Sequence, residues 1–233
     1  MKNWLRANKR FIVFLLLLGF FRTAVADWNP VPSGSMRPTI LEGDVVLVNR
    51  LAFDVKMPLT NVIVAHTGEP QRGDIVTFSS PTDGTRLIKR VVGLPGDTIE
   101  MRDNHLVING HALDYVPLGE AVEKVGAHRA IDVERLRETF GASPHTIQWL
   151  PRIASRSSFG PLLIPADRYL MLGDNRDDSA DSRYFGLVPR KLLIGRAERI
   201  LVSADIKDHW QLRFPRFASS LYATDVATPV HTR

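Results

Sequence analysis

The sequence predicts a mainly β fold, because most of the chain beyond its N-terminal segment consists of short runs rich in β-branched residues, bounded by Gly, Pro, Asp or Asn. Two further observations shape this prediction. An apolar run near the N-terminus indicates a membrane-directed segment, and an irregular middle region indicates a small inserted lobe. The 233 residues suit one medium-sized domain, or a main domain with a smaller one.

The N-terminal segment is basic and then apolar. Residues 1–10 carry four Lys or Arg and no acid, and residues 11–21 are almost entirely apolar. Eleven residues of helix span about 16 Å, which is short for a hydrocarbon core of about 30 Å. Two alternatives remain open. One is a signal peptide that is cleaved after Ala26, where an Ala-x-Ala pattern ends, and the other is an anchor retained over residues 11–26. In either case the positive flank stays in the cytoplasm and the rest crosses the membrane.

The charge distribution argues against nucleic acid as a partner. The chain has a formal net charge of +5, but residues 1–26 contain five Lys or Arg and no acid. The remaining residues contain 25 cationic and 25 acidic side chains, which balance. The excess is therefore a signal of membrane topology rather than of phosphate binding.

The composition also limits the chemistry. Apolar residues make up 44% and charged residues 24%, which is ordinary for a globular protein. The chain has no cysteine, so a thiol nucleophile, a disulfide framework and a metal site built on thiolates are excluded. A covalent catalyst of this composition would use serine or threonine.

Six segments have the pattern of strands, and one of them predicts a hairpin. In residues 97–113, two polar residues, Asp103 and Asn104, separate two apolar runs. The strand-like segments are 44–53, 73–80, 85–93, 97–113, 167–174 and 197–205.

One segment predicts a helix. Within residues 131–141, Val133, Leu136 and Phe140 recur at helical spacing, and Gly141 can end the helix. Residues 114–166 otherwise look irregular.

The C-terminal part carries two further predictions. Residues from about 219 onward are polar, which favours a frayed tail. Just before it, Trp210, Leu212 and Phe214 alternate, which favours a buried edge strand over a surface that docks on lipid.

A candidate nucleophile lies in residues 31–39, VPSGSMRPT. Two prolines and a glycine bracket two serines, and a nucleophilic serine needs an exposed, fixed hydroxyl with backbone N–H groups nearby. Ser35 fits this requirement. A plain polar turn fits it as well, because Ser, Pro and Gly dominate turns.

A candidate base lies in residues 85–97, TRLIKRVVGLPGD. On a strand, Lys89 and Arg90 each lie between two apolar neighbours on opposite faces. Only lysine can lose its proton in a protein, so Lys89 is the better base. The alternative is a lysine that snorkels at a sheet edge. The seven histidines lie in no dense motif.

A third dense stretch, residues 171–189, packs four aspartates, two arginines and two serines. It does not fit a calcium loop, because Arg176 would occupy a ligand position and Ser179 the place of the glycine. Asp181 and Arg183 are two residues apart and predict an ion pair on one strand face. An exposed charged loop is the alternative.

These stretches together resemble the bacterial type I signal peptidases, the membrane-bound Ser–Lys endopeptidases of peptidase family S26. Four motifs match in order and spacing: PSGSMRPT, RGDIVTF, RLIKRVVGLPGD and GDNRDDSADSRYFG. With the strands around them, the resemblance covers roughly residues 11–214.

The resemblance implies catalytic roles. Ser35 attacks the scissile carbonyl, and an unprotonated Lys89 takes its proton and later gives it to the leaving amine. The Ser35 backbone N–H and the Ser33 hydroxyl form the oxyanion hole. Ser179 orients Lys89.

It also implies supporting roles. Asp181 and Arg183 form an ion pair under the site, and Val31 and Ile88 line small apolar pockets for Ala-like side chains. No metal and no cofactor is implied.

The implied architecture is a mostly antiparallel β catalytic domain with an inserted lobe, behind one retained N-terminal membrane helix. Many relatives carry two such helices, whereas this chain has room for one, and Ala26 is a candidate site of self-cleavage. The expected divisions are a basic N-terminus over 1–10, an anchor over 11–26, a catalytic domain over 27–97 and 167–214, a lobe over 98–166 and a tail over 215–233.

The implied partners are secretory preproteins, cut after small-x-small sequences, and the lipid bilayer; no nucleic acid is expected. The implied location is the bacterial inner membrane, as a single-pass protein with a cytoplasmic N-terminus and a periplasmic catalytic domain. Two alternatives stay open: a specialised Ser–Lys processing peptidase of a dedicated export or pilus system, and a secreted β-rich binding module without catalysis.

Overall fold

A computed structural model describes residues 4, 8–57, 60, 62–124, 130–141, 143–207 and 209–222. In these ranges the helices are α1 (Lys9–Ala24) and α2 (Ser182–Phe185), with 3-10 turns at Arg190–Leu192 and Phe214–Arg216. The strands are β1 (Ala26–Pro30), β2 (Asp44–Asn49), β3 (Asp54–Lys56), β4 (Ile63–His66), β5 (Ile75–Ser79), β6 (Arg86–Gly93), β7 (Thr98–Arg102), β8 (His105–Ile108), β9 (His111–Ala112), β10 (Asp114–Lys124), β11 (Ala130–Phe140), β12 (Ser143–Trp149), β13 (Phe159–Leu163), β14 (Arg168–Leu172), β15 (Val188–Pro189), β16 (Leu193–Asp205) and β17 (Gln211–Leu212).

The main sheet confirms the prediction of a mainly β fold. Its strands follow the order β1-β2-β16-β5-β6-β14-β15, and β17 pairs with β16. All of these pairings are antiparallel. The remaining described strands form β10-β11-β12, β13-β7-β8-β9 and β3-β4. The strand-like segments of the sequence lie in these sheets, which pack around apolar clusters such as that of Val46, Ile75 and Ile200.

The apolar N-terminal run forms α1, which has 16 residues and ends before β1. In the part of the chain that the structure describes, no helix has the length and apolar character needed to cross a membrane. The predicted anchor over residues 11–26 is therefore not confirmed, and Ala26 is the first residue of β1, paired with Asn49 of β2. Of the predicted basic N-terminus, residues 1–3 and 5–7 lie outside the described residues.

A buried carboxylate joins α1 to the sheet. Asp27 Oδ1 accepts from Arg22 Nε of α1 at 3.1 Å, and Oδ2 accepts from Arg86 Nη1 of β6 at 2.9 Å. Arg50 Nη1 lies 3.8 Å from the same Oδ2. The Arg22 guanidinium also lies over the ring of Trp28, 4.6 Å from its centroid. The end of the helix is thus tied to the strand that carries Lys89.

The hairpin predicted for residues 97–113 is confirmed. Strands β7 and β8 pair in register, and Asp103 and Asn104 form the turn with φ values of 46° and 65°. Two successive positive φ angles are what a two-residue turn needs to follow the right-handed twist of its strands.

The helix predicted for residues 131–141 is wrong. This segment is β11, the middle strand of β10-β11-β12. Leu136, Glu138 and Phe140 alternate on the buried side of the strand. The charge of Glu138 hides that alternation in the sequence, because its partner, Arg176, is remote in the chain.

The prediction that the middle region is irregular is also wrong, since this region contains β10, β12 and β13. Several prolines made it look irregular, but those that fall in strands lie where a sheet tolerates them. Pro117 lies beside a bulge in β10, and Pro144 lies in β12; both are edge strands. The division of residues 98–166 as a separate lobe stays a prediction, because Phe140 packs in one cluster with Val92 and Leu170 of the main sheet.

The prediction of a frayed C-terminal tail is wrong as far as residue 222. Leu221 lies in the core of the main sheet, and the Tyr222 hydroxyl accepts from the Ile75 N–H at 3.0 Å. Residues 223–233 lie outside the described ranges.

The apolar stripe before the tail is not a buried edge strand. Trp210, Leu212 and Phe214 are 70%, 50% and 66% exposed. The prediction was wrong because β17 pairs with the end of β16 through its backbone and leaves these side chains in solvent.

Candidate active site

Ser35 lies in the turn between β1 and β2, and neighbouring groups hold that turn. The Arg37 N–H donates to the Gly34 carbonyl at 3.0 Å, and Asn175 Nδ2 donates to the same carbonyl at 3.0 Å. The Asn175 N–H donates to the Ser35 carbonyl at 3.2 Å. Ser35 is therefore held in place, but only 8% of its surface is exposed, whereas the sequence predicted an exposed hydroxyl.

Lys89 reaches Ser35 from another strand of the same main sheet. It lies on β6, is 3% exposed, and its Nζ donates to Ser35 Oγ. Among the described residues, no carboxylate lies within ion-pair distance of Nζ. Burial lowers the pKa of Lys89 to about 8, and the more distant carboxylates of Asp181 and Asp174 only partly oppose this.

Arg90 is buried on the same strand, but it is paired. Its Nε donates to Asp174 Oδ1 at 2.8 Å, its Nη2 donates to Oδ2 at 2.6 Å, and its Nη1 donates to the Gly73 carbonyl at 2.8 Å. Burial alone would lower the pKa of Arg90, but the Asp174 carboxylate outweighs it and leaves that pKa raised. Arg90 is therefore a charged structural residue.

Asp181 and Arg183 come together, but not on a strand. Arg183 Nε and Nη2 each donate to the Asp181 carboxylate at 2.8 Å. Asp181 is also the N-cap of α2, and its Oδ2 accepts from the Gly173 N–H at 3.1 Å. The predicted ion pair is present. It forms at the N-cap of a helix, whereas the sequence predicted it on a strand face.

Gly173 allows the nucleophile turn and the charged loop to meet. A Cβ atom at this position would collide with the Ser35 carbonyl oxygen and with Ser179 Oγ. Ser179 therefore lies beside the nucleophile turn, nearly buried, and its Oγ has no hydrogen-bond partner in the described part of the chain. Its implied bond to Lys89 is not made in this structure.

The remaining predicted residues lie around the turn. Ser33 is exposed, one residue before Gly34. Val31 is 5% exposed and belongs to the core of the main sheet, and Ile88 packs partly buried against that same cluster. Val31 and Ile88 thus meet at one apolar cluster, Val31 within it and Ile88 against it.

The sequence did not indicate the buried ion pairs that brace this site. Arg176 and Glu138 pair in the interior, so the charged loop is anchored to β11. The Tyr115 hydroxyl donates to Glu138 at 2.5 Å, and His145 Nε2 lies 3.0 Å from it. The only available signal was the density of charge around Arg176, which does not identify a partner.

The chain matches proteins of known family over most of its length. The family model for signal peptidase, peptidase S26, matches residues 2–202. Signal peptidase I of Pseudomonas fluorescens and that of Pseudomonas aeruginosa are each 35% identical, over 84% of this chain and 72% of the relative. Signal peptidase I P of Bacillus subtilis subsp. natto is 30% identical, over 87% of this chain and 90% of the relative.

Among solved structures, the chain is similar to a signal peptidase I from Enterococcus faecalis. The identity is 34% and the TM-score 0.34, with 55% of this chain and 96% of that chain covered. The sequence matches overturn the alternative of a binding module without catalysis and confirm a serine peptidase. The chain belongs to the signal peptidase family, peptidase S26.

Proposed function

We propose that this protein is a membrane-bound serine endopeptidase that removes signal peptides from secretory preproteins after small-x-small sequences, with Ser35 as nucleophile and Lys89 as base. The observation that carries the proposal is the direct contact between Lys89 Nζ and Ser35 Oγ, made by a buried lysine whose pKa is lowered to about 8. A nucleophile within hydrogen-bond reach of a neutral base is the arrangement that covalent catalysis requires.

Acylation uses both groups. The neutral amine of Lys89 takes the proton of the Ser35 hydroxyl while Oγ bonds to the scissile carbonyl carbon. The carbonyl oxygen becomes an oxyanion, which accepts from the Ser35 N–H and the Ser33 hydroxyl. When the C–N bond breaks, the Lys89 ammonium gives its proton to the leaving amine. The products are an ester on Ser35 and the free N-terminus of the mature protein.

Deacylation repeats the same transfer with water. Lys89 takes a proton from water while the water oxygen attacks the ester carbonyl. The bond to Ser35 Oγ then breaks, Oγ regains its proton from Lys89, and the signal peptide leaves with a new carboxylate. No step needs a metal or a cofactor.

The other predicted residues position these two. Ser179 lies beside the turn with an unpartnered hydroxyl, so it is available to Lys89 when substrate tightens the site. The Asp181–Arg183 pair holds Gly173, which contacts the nucleophile turn. Val31 and Ile88, which lie in and against one apolar cluster, line the pockets for side chains the size of alanine.

Contact with the lipid bilayer rests on two exposed apolar surfaces. Along α1, Phe11, Phe14 and Leu17 are between 57% and 63% exposed. The stripe of Trp210 and Phe214 is also exposed, and aromatic side chains favour the interface between membrane and water. With the basic N-terminus in the cytoplasm, the catalytic domain lies on the other side of the inner membrane.

The experiment compares cleavage of a preprotein with an Ala-x-Ala site in detergent micelles. We expect Ser35→Ala and Lys89→Ala to lower kcat/KM by at least about a thousandfold, the scale of a lost nucleophile or base. The control is Lys191→Ala, which removes an exposed lysine away from the site. Circular dichroism reports whether each variant folds. Cleavage that survives in folded Lys89→Ala contradicts the proposed mechanism.

A specialised processing peptidase remains the second candidate, because the same Ser35–Lys89 chemistry would serve it. The two differ in substrate range. Cleavage of several unrelated preproteins at similar rates supports general signal peptide removal, whereas cleavage of one substrate class alone supports the specialised enzyme.

A further inference from the structure

A cavity of about 250 Å³, lined by charged, polar and apolar residues, lies beside the nucleophile turn. One wall is the segment Pro32, Ser33 and Gly34, immediately before Ser35. The facing wall comes from the β10-β11-β12 sheet and includes Ile131 and Gln148. The cavity therefore joins the site to the sheet for which the proposed chemistry gives no role.

Two residues that line this cavity each carry an acceptor oxygen without a donor among the described residues. Gln148 Nε2 donates to Glu123 at 3.3 Å, and Asn175 Nδ2 donates to the Gly34 carbonyl, so both carboxamides are fixed in orientation. This leaves Gln148 Oε1 and Asn175 Oδ1 buried and without a partner among the described residues. Because a buried polar atom without a partner is costly, the arrangement calls for a ligand that donates hydrogen bonds.

The charges at the cavity favour the same kind of ligand. Arg37 is committed to Glu42 at 2.6 Å and to Glu123 at 2.7 Å, and Lys207 is committed to Glu42 at 2.6 Å. Asp178 lines the cavity as well, is exposed, and forms no ion pair in the described ranges. The free charge at the opening is therefore negative.

This cavity differs from the surface suited to small side chains. Neither Val31 nor Ile88 lines it. Its volume exceeds what an alanine side chain fills, and its lining includes charged side chains. A substrate that places its small residues on the Val31 side of Ser35 must extend the residues that follow the scissile bond in the other direction.

We propose that the cavity receives the first two residues of the mature protein, those that follow the scissile bond. Their N–H groups, or the donors of an Asn, Gln or Lys side chain, bond to the oxygens of Gln148 and Asn175. The cavity thus selects hydrophilic, donor-rich residues over large apolar ones, and a cationic side chain reaches Asp178. This inference rests on the proposed peptidase function and assigns a role in specificity to β10-β11-β12.

The test uses peptides with one fixed Ala-x-Ala site and different residues at the two positions after it: Ala-Ala, Asn-Lys or Leu-Leu. We expect kcat/KM of the wild-type protein to be about fivefold to tenfold higher for Asn-Lys than for Leu-Leu, as one or two neutral hydrogen bonds provide.

A variant that fills the cavity separates this role from general damage. Ile131 is half-buried at the wall, so Ile131→Trp narrows the space while Ser35 and Lys89 stay in place. We expect it to abolish the preference for Asn-Lys and to keep cleavage of Ala-Ala. The matched control is Val122→Trp, at an exposed position on the neighbouring strand outside the cavity. This control should keep the wild-type preference.

The outcomes distinguish the two proposals. If wild type cleaves all three peptides at rates within twofold, or if Ile131→Trp keeps the preference, the assignment of the cavity is wrong while the peptidase function stands. If wild type cleaves none of them, the proposed function fails and the assignment fails with it.

Discussion

Lys89 and Arg90 are consecutive buried cations on one strand, yet their surroundings are opposite. Both are 3% exposed. Arg90 meets Asp174 through two hydrogen bonds, whereas the side chain of Lys89 bonds, among the described residues, only to the hydroxyl of Ser35. The same burial therefore leaves the arginine charged and shifts the lysine towards its neutral form.

The comparison shows how a lysine can remain without a counterion inside a highly charged interior. Around the site, carboxylates are matched to arginines, as in Arg183 with Asp181 and Arg176 with Glu138. Because these carboxylates are already engaged, none contacts the Lys89 ammonium within the described residues. The ion pairs thus stabilise the fold and also leave Lys89 without a counterion.

The largest effect is expected from removing the uncompensated charge. Lys89→Met should lower kcat/KM by at least about a thousandfold, because no base remains. At pH 7 it should also raise the free energy of unfolding, since a pKa reduced from 10.5 to about 8 corresponds to roughly 3 kcal/mol. Urea denaturation and peptide cleavage in the same detergent measure both effects.

The gain in stability of Lys89→Met should decrease as the pH rises. Below pH 8 the buried ammonium destabilises the folded wild-type protein fully, and above the unfolded pKa of about 10.4 both states are neutral. The stability difference between Lys89→Met and wild type should therefore shrink between pH 8 and pH 10. A difference that grows over this range contradicts the account.

The next effect is expected from removing the partner of the compensated charge. Asp174→Asn leaves Arg90 buried without a carboxylate and should lower the free energy of unfolding by about 3–5 kcal/mol. The control is Asp132→Asn, which breaks a surface pair with Arg152 at 3.3 Å and should change stability by less than about 1 kcal/mol. Equal losses in both variants would show that the Arg90 pair has no special weight.

The smallest effect is expected from removing a carboxylate that acts on Lys89 without touching it. The Asp181 carboxylate favours the protonated form of Lys89, so Asp181→Asn should lower the pKa of Lys89 further. The acid limb of kcat/KM, centred at about pH 8 in wild type, should move down by about half a unit to one unit. A midpoint that rises or stays in place means that this carboxylate does not act on Lys89.

Much of the fold was predictable where the signal is local. The hairpin of β7 and β8 follows from two turn residues between alternating apolar runs, and Ser35 and Lys89 follow from dense motifs. These features depend on neighbours in the chain. Their chemistry can be predicted before any contact is known.

Contacts across the fold were not predictable in this way. The charge of Glu138 gives β11 a helix-like apolar period in the sequence, because Arg176, which pairs with Glu138, lies 38 positions away in the chain. Similarly, Asp174 was grouped with the charged loop, and nothing in the sequence indicates that Arg90 is its partner. The hydroxyl of Ser179 lacks its implied partner, a geometry that no motif specifies.

The carboxylate of Asp27 determines where this chain can be shortened. A form that begins at Trp28 would lose the anion between Arg50 and Arg86 and leave two guanidinium groups facing each other. A form that begins at Asp27 would keep the anion but add an ammonium group beside the same two arginines. A version without the helix should therefore begin some residues before Asp27, so that the strand β1 and its counterion stay with the domain they stabilise.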